Sequence, residues 1–258
     1  MLPSRNAPLT ARSVLASVLL GTDPPRLPTP LLVRTAALFG ITEGTTRTAL
    51  SRLVAAGEAV AEDGGYRLAG RLVARQQRQA ASRRADVRAW DGTWELATVE
   101  GDSRRSAADR AALRAALRSL RLAELREGVW GRPDNLAADR SPEADAVAAR
   151  WCVRWRGARP LTLPDLDASW NLTGWAITAA ELRSEMKPLV RPLEQGDHRA
   201  LANGFVLSAA VLRHLQADPL LPAELLPSRW PGRPLRDEYD RFDAAYRRVL
   251  RSWFASPG

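Results

Sequence analysis

The stretch Ile41–Leu68, ITEGTTRTALSRLVAAGEAVAEDGGYRL, decides the fold of the amino-terminal region. Thr42 can accept from the free backbone N–H of Thr45, which makes it an N-cap and starts a helix. Thr46, Ala49, Leu50, Leu53 and Val54 then fall on one side at spacings of three and four. Gly57 follows the last apolar residue, where a left-handed C′ position ends the helix. Two short runs, Glu58–Glu62 and Tyr66–Leu68, flank a Gly64-Gly65 turn and read as a hairpin. The side facing away from the apolar stripe carries Gly44, Thr48, Ser51 and Arg52, with Thr45 and Arg47 beside them. Small side chains, hydroxyls and guanidinium groups are what a DNA major groove requires: close approach, phosphate contacts and bidentate arginine to guanine. A small helical packing unit with a solvated polar face is the plainer alternative.

Working outward, Thr10–Leu20 predicts a first helix with Val14, Leu15, Val18 and Leu19 inward. The prolines of TDPPRLPTP (Pro24, Pro25, Pro28, Pro30) exclude helix there. Leu31–Phe39 predicts a second helix, and Gly40-Ile41 a tight turn into the third. Three helices and a hairpin make a winged helix-turn-helix domain over 1–70. Residues 71–88 predict a basic connector helix with Arg71, Arg75 and Arg78 on one stripe.

A second domain, 89–165, opens on a strand at Trp94–Val99. A helix follows at Ala107–Leu120, with strand candidates at Leu125–Trp130 and Arg150–Trp155. The pattern suggests a ferredoxin-like sheet. Residues 166–258 read as a helical domain. Its first helix, from Trp170 to about Val190, is expected to be interrupted near Pro188, and Arg199–Gln216 forms another. The last helix places Leu235, Tyr239, Phe242, Tyr246, Val249 and Trp253 on one seam. That seam needs cover, from the same chain or from a second copy. The fold class is therefore α+β.

Composition narrows the partners. Across 258 residues, 38 Lys+Arg against 29 Asp+Glu give a net charge of +9, nearly all from arginine, with Lys187 the single lysine. Arginine presents a planar fork suited to phosphate, so the balance fits nucleic acid or a phosphorylated ligand. Cys152 stands alone, so no internal disulfide forms, and a cytoplasmic protein is expected. The basic start followed by SVLASVLLG is too short for a secretory signal and lacks its cleavage site. No later run reaches the roughly 18 apolar residues of a membrane span.

Catalytic patterns are weak. His198 and His214 lack zinc-ligand spacing. There is no phosphate-cradling glycine loop, nucleophile elbow or H-E-x-x-H helix. No metal or cofactor is expected, and no enzyme. Glu100 and Asp102, just past the first strand of the middle domain, keep one alternative open, a metal-dependent nuclease.

Three blocks carry a family resemblance: FGITEGTTRTALSRLVAAG (Phe39–Gly57), WDGTWELA (Trp90–Ala97) with REGVWGRPDNL (Arg126–Leu136), and DPLLPAELLPSRWPG (Asp218–Gly232). In this order they resemble the PaaX type of bacterial transcriptional repressor, named for control of phenylacetate degradation. The chain departs from that pattern in its scarcity of lysine and its short glycine-bearing wing. The resemblance implies an amino-terminal winged helix, a middle domain similar to the CRISPR spacer-acquisition nuclease fold, and a helical carboxyl-terminal domain. It also implies a homodimer on a double-stranded operator, released by a small acyl-CoA such as phenylacetyl-CoA. On that reading the DNA-binding residues are Gly44, Thr45, Arg47, Thr48, Ser51 and Arg52, with Gly64, Gly65, Tyr66 and Arg67 in the wing. Trp130, Trp170 and Trp175 are candidates for the acyl group, and Arg132 for a phosphate.

Overall fold

The computed structural model describes residues 10–101 and 105–256 of a mixed helix-and-sheet chain with a helical carboxyl-terminal end. The Asp102 of the nuclease alternative lies outside the described residues. Two compact units emerge. One comprises the described parts of Met1–Arg84, Thr178–Ala217 and Pro231–Gly258; the other comprises those of Ala85–Ile177 and Asp218–Trp230.

In the first unit α1 (Ala11–Gly21) is capped by Thr10, whose hydroxyl accepts from the Ser13 N–H. A strand, β1 (Arg26–Pro28), and α2 (Thr29–Ala37) precede α3 (Glu43–Ala55). Thr42 caps α3 by accepting from the Thr45 N–H at 3.3 Å. At its other end the Gly57 N–H bonds the Val54 carbonyl and the Glu58 N–H the Leu53 carbonyl, each at 2.9 Å. This paired closure needs a left-handed residue, and Gly57 supplies it at φ +67°. Then come β2 (Ala59–Glu62), β3 (Gly65–Leu68) and α4 (Arg71–Arg84). The three strands form an antiparallel sheet in the order β1-β3-β2.

Two expectations change here. The proline loop contains an edge strand, because Leu27 is buried and proline's missing donor costs nothing on an outer edge. The hairpin turns at Asp63-Gly64, not at Gly64-Gly65, and Gly65 opens β3. A Cβ on Gly65 would lie 2.5 Å from the Leu27 carbonyl oxygen, so the passage of β1 dictates glycine there.

The second unit holds β4 (Trp94–Val99), α5 (Ala107–Ser119), β5 (Ala123–Arg126), β6 (Val129–Pro133), α6 (Pro142–Ala149), β7 (Cys152–Ala158) and α7 (Leu166–Trp170). Its strands pair antiparallel in the order β5-β6-β4-β7. The expected strand at Leu125–Trp130 is two strands around a turn at Glu127-Gly128, and α6 is an unforeseen short helix. Leu113, Leu117 and Leu120 meet Ala97, Trp130, Ala144 and Ala148 in one core.

Three further helices close the chain: α8 (Leu172–Glu194), α9 (Leu201–Gln216) and α10 (Gly232–Ala255). α8 runs on through Pro188 and Pro192, against the expected interruption. Buried Leu182, Met186 and Leu193 anchor it on both sides of Pro188. The α10 seam is buried within its own chain, which settles what covers it. Phe205 of α9 and Phe254 of α10 pack on the amino-terminal core of Leu15, Leu19, Leu32, Leu50 and Leu53. α9, α10 and α8 from Thr178 onward therefore fall in one unit with the amino-terminal elements, while sequence reading set 166–258 apart as a helical domain.

A candidate nucleic-acid interface on the third helix

The buried side of α3 is Thr46, Ala49, Leu50 and Leu53, anchored on the core of the first unit. That anchoring turns Glu43, Gly44, Thr45, Arg47, Thr48, Ser51 and Arg52 to solvent. Thr48 and Ser51 donate back to the Gly44 and Arg47 carbonyls at 3.0 and 3.1 Å, leaving their oxygens free to accept. Thr45 shares a hydrogen bond with the Thr42 hydroxyl at 3.0 Å. Arg47 pairs with Glu43 one turn earlier, with Nη2 2.7 Å from Oε1. The Arg52 guanidinium makes no hydrogen bond or ion pair with any described residue. It lines a shallow hollow together with Arg12 and Thr48, so a cation outside the helix borders the same surface.

The hairpin contributes less than sequence reading assigned it. Gly64 and Arg67 are exposed, and Arg67 is tied to Glu62 at 2.7 Å. Tyr66 is half-buried against the core. Gly65 is buried under β1, so it shapes the hairpin rather than meeting a ligand. On α4 the arginine stripe splits. Arg71 is spent, with Arg12, on the buried Glu58 carboxylate. Arg75 is half-buried and Arg78 is exposed.

The four effector candidates do not converge on an open pocket. Trp130 lies in the core beneath α5 and α6. Trp175 is buried and stacks on Trp230, with ring centroids 4.6 Å apart. Trp170 is half-buried, 6.3 Å from the Trp94 ring, with its indole N–H toward the Arg121 carbonyl at 3.5 Å. The Arg132 assignment is overturned. Its guanidinium is fully buried and donates to the Pro133, Pro219 and Leu220 carbonyls at 3.0, 3.2 and 3.0 Å, and to Asn135 Oδ1 at 2.8 Å. Burial and the neighbouring Arg140 push its pKa down, against Glu95, and its donors are spent on protein oxygens before any phosphate could reach them.

Sequence reasoning missed Arg12 and Glu43 as members of this surface. Glu43 opens α3 itself, whereas Arg12 reaches the hollow beside Thr48 and Arg52 only through the packing of α1 against α3. Among the described residues no group of three or more His, Cys, Asp or Glu is placed to hold a metal. No described helix is long and apolar enough to cross a membrane.

Comparison with known proteins bears on what such a surface serves. The PaaX-like protein family matches residues 10–72, and the PaaX-like protein C-terminal domain matches residues 170–256. The chain belongs to the PaaX-like protein family. The family is one of transcriptional regulators. Among solved structures, the chain is similar to the uncharacterized protein Rv0674 from Mycobacterium tuberculosis. The two are 42% identical over 94% of this chain and 98% of that one, with a TM-score of 0.72. No curated protein matches. The PaaX-like match to residues 10–72 takes in all of α3 and both strands of the hairpin.

Proposed function

We propose that this PaaX-like protein is a DNA-binding transcriptional repressor acting as a homodimer, and that Thr10–Leu68 is its winged helix-turn-helix. The observation that carries the reading is the outer face of α3. Two guanidiniums, three hydroxyls and a glycine stand exposed on a helix whose other side is locked into a core. Such a face fits a major groove, with Arg47 and Arg52 reading base edges or phosphates and Thr45, Thr48 and Ser51 fixing register. Gly64 and Arg67, at the hairpin, would lie toward the backbone or the minor groove. The β-α-β-β-α-β order of the second unit, with β4 and β6 central, supports a ferredoxin-like reading of that region.

A small acyl-CoA, acting by differential affinity for two arrangements of the protein, is the proposed releasing signal. Selection of genomic fragments with the purified protein tests the core of this reading. An inverted repeat should be enriched, its half-sites about one helical turn, ~34 Å, or a multiple of it apart. Recovery of fragments without a shared motif would contradict it.

A further inference from the structure

A cavity of about 500 Å³ lies inside the first unit, walled by α1, α4, α9 and α10. Its volume falls within the roughly 300–1,000 Å³ of small-molecule sites, and most of its exposed lining is apolar, interleaved with polar and charged side chains. Val18, Leu20, Phe205, Leu212 and Leu250 form the apolar part.

Two polar groups face this hollow without a hydrogen-bond partner from the described protein. The first is Tyr246, which lines the cavity and is only 8% exposed. Its hydroxyl makes no hydrogen bond with any described residue and is not sealed from solvent, so it can donate to a molecule in the hollow. Tyr239, on the same wall, is satisfied by the Ser208 hydroxyl at 2.7 Å.

The second is Arg75, also on the lining, half-buried and without a hydrogen bond or ion pair to a described residue. Arg213 of α9 is half-buried in the same condition. Burial first, then repulsion from Arg213 and Arg78, lower the Arg75 pKa against the pull of Glu58. The other cations of the wall are already neutralised. Arg83 pairs with Asp240 at 2.6 Å and with Asp243 at 2.8 Å, and Arg247 pairs with Asp243 at 2.8 Å. Arg75 and Arg213 therefore have no directly paired carboxylate; Glu58 acts on Arg75 only through space, and Asp23 is also on the lining.

We propose that this cavity binds a small organic anion with an apolar body. Its carboxylate or phosphate pairs with Arg75, an oxygen accepts from Tyr246, and its chain or ring lies against Phe205, Leu212 and Leu250. Occupancy is felt at the DNA face because α1, which walls the cavity with Val18 and Leu20, also packs on α3. Only this last step rests on the repressor reading.

Calorimetric titration of the full-length protein tests the site without DNA. The probes are benzoate, octanoate, octyl phosphate, octanoyl-coenzyme A and the uncharged octanamide. At least one anion should bind, and octanamide should bind about tenfold more weakly or worse, the loss expected of a missing charge-assisted bond. Comparing octanoate, octyl phosphate and the thioester separates a free acid from a phosphate or a coenzyme A conjugate as the natural source. Arg75→Gln should weaken binding by roughly tenfold and Tyr246→Phe severalfold, with unfolding temperatures near the parent value. Leu250→Trp, which fills the cavity, should abolish binding. Absence of binding across the series, or equal binding of octanamide and octanoate, or indifference to Arg75→Gln, overturns the site. Anion binding that leaves the affinity for duplex DNA unchanged overturns the coupling. A protein that takes the anion but has no DNA affinity overturns the repressor reading and leaves the site standing.

Discussion

Glu43 and Arg47 sit one turn apart on the exposed side of α3, and the Arg47 Nε donates to Glu43 Oε1 at 2.8 Å. The pair is solvent-exposed on both sides, so its contribution to stability is small, and its consequence is for charge. A carboxylate at the helix start both occupies Arg47 and repels phosphate.

Glu43→Gln should therefore tighten binding to duplex DNA of any sequence. Fluorescence anisotropy at two salt concentrations checks this. The expected result is a several-fold gain at low salt, fading as ionic strength rises. Unchanged or weaker binding would place Glu43 away from the backbone.

Arg52 has no partner to give up, which makes it the least encumbered reader on the helix. Arg52→Ala should cost about 1–3 kcal/mol of operator affinity if it takes a guanine edge. A binding-site selection repeated with the variant should show relaxed preference at one position per half-site. Loss of affinity that is uniform across sequences would make Arg52 a phosphate contact instead.

Arg132 makes a different kind of prediction. Its substitution by Met strands the Pro219 carbonyl and the Asn135 amide oxygen in the interior, while the Leu220 carbonyl keeps the Asn135 side-chain N–H. Each buried acceptor left unpaired is worth about 1–3 kcal/mol, so urea unfolding should show a loss of roughly 2–5 kcal/mol. The folded fraction should retain its DNA affinity. A loss below about 1 kcal/mol would mean that water or neighbouring donors replace the guanidinium.

Acid stability follows from Glu238. The Arg183 guanidinium hydrogen-bonded to it holds its carboxyl below the ordinary value of 4.5. A depressed folded-state pKa contributes stability above the unfolded value that is lost as pH falls through the folded one. Arg183→Gln should thus lower stability at neutral pH, by less than ~1 kcal/mol for a partly exposed pair. The difference from the parent should vanish once the pH is well below 4.5. Melting curves across pH 3–7 check this, and a difference that persists in acid would contradict the electrostatic account.

The legible parts of the sequence were those that local chemistry determines. Thr42 and Gly57 marked both ends of α3, because capping depends on residues within one turn. The closing seam was equally plain in its spacing. What could not be read was partnership across distance. REGVWGRPDNL and DPLLPAELLPSRWPG stand out in the sequence as separate family blocks, with Arg132 a phosphate candidate, yet Arg132 and Asn135 of the first hold the Pro219 and Leu220 carbonyls of the second. Their conspicuous residues serve each other. The anion cavity was illegible for the same reason, since Val18, Arg75, Phe205 and Tyr246 come from four helices. The edge strand at Arg26–Pro28 was hidden by prolines that are harmless only on an outer edge.

The central claim is that the outer face of α3 meets duplex DNA, and the salt dependence of DNA affinity measures this most directly. For the parent protein the logarithm of the association constant should fall steeply and linearly with the logarithm of salt concentration. The double variant Arg47→Ala, Arg52→Ala should lose both affinity and slope, by about one unit of slope per phosphate contact removed. Binding that is insensitive to salt, or a double variant that matches the parent in both, would contradict the account.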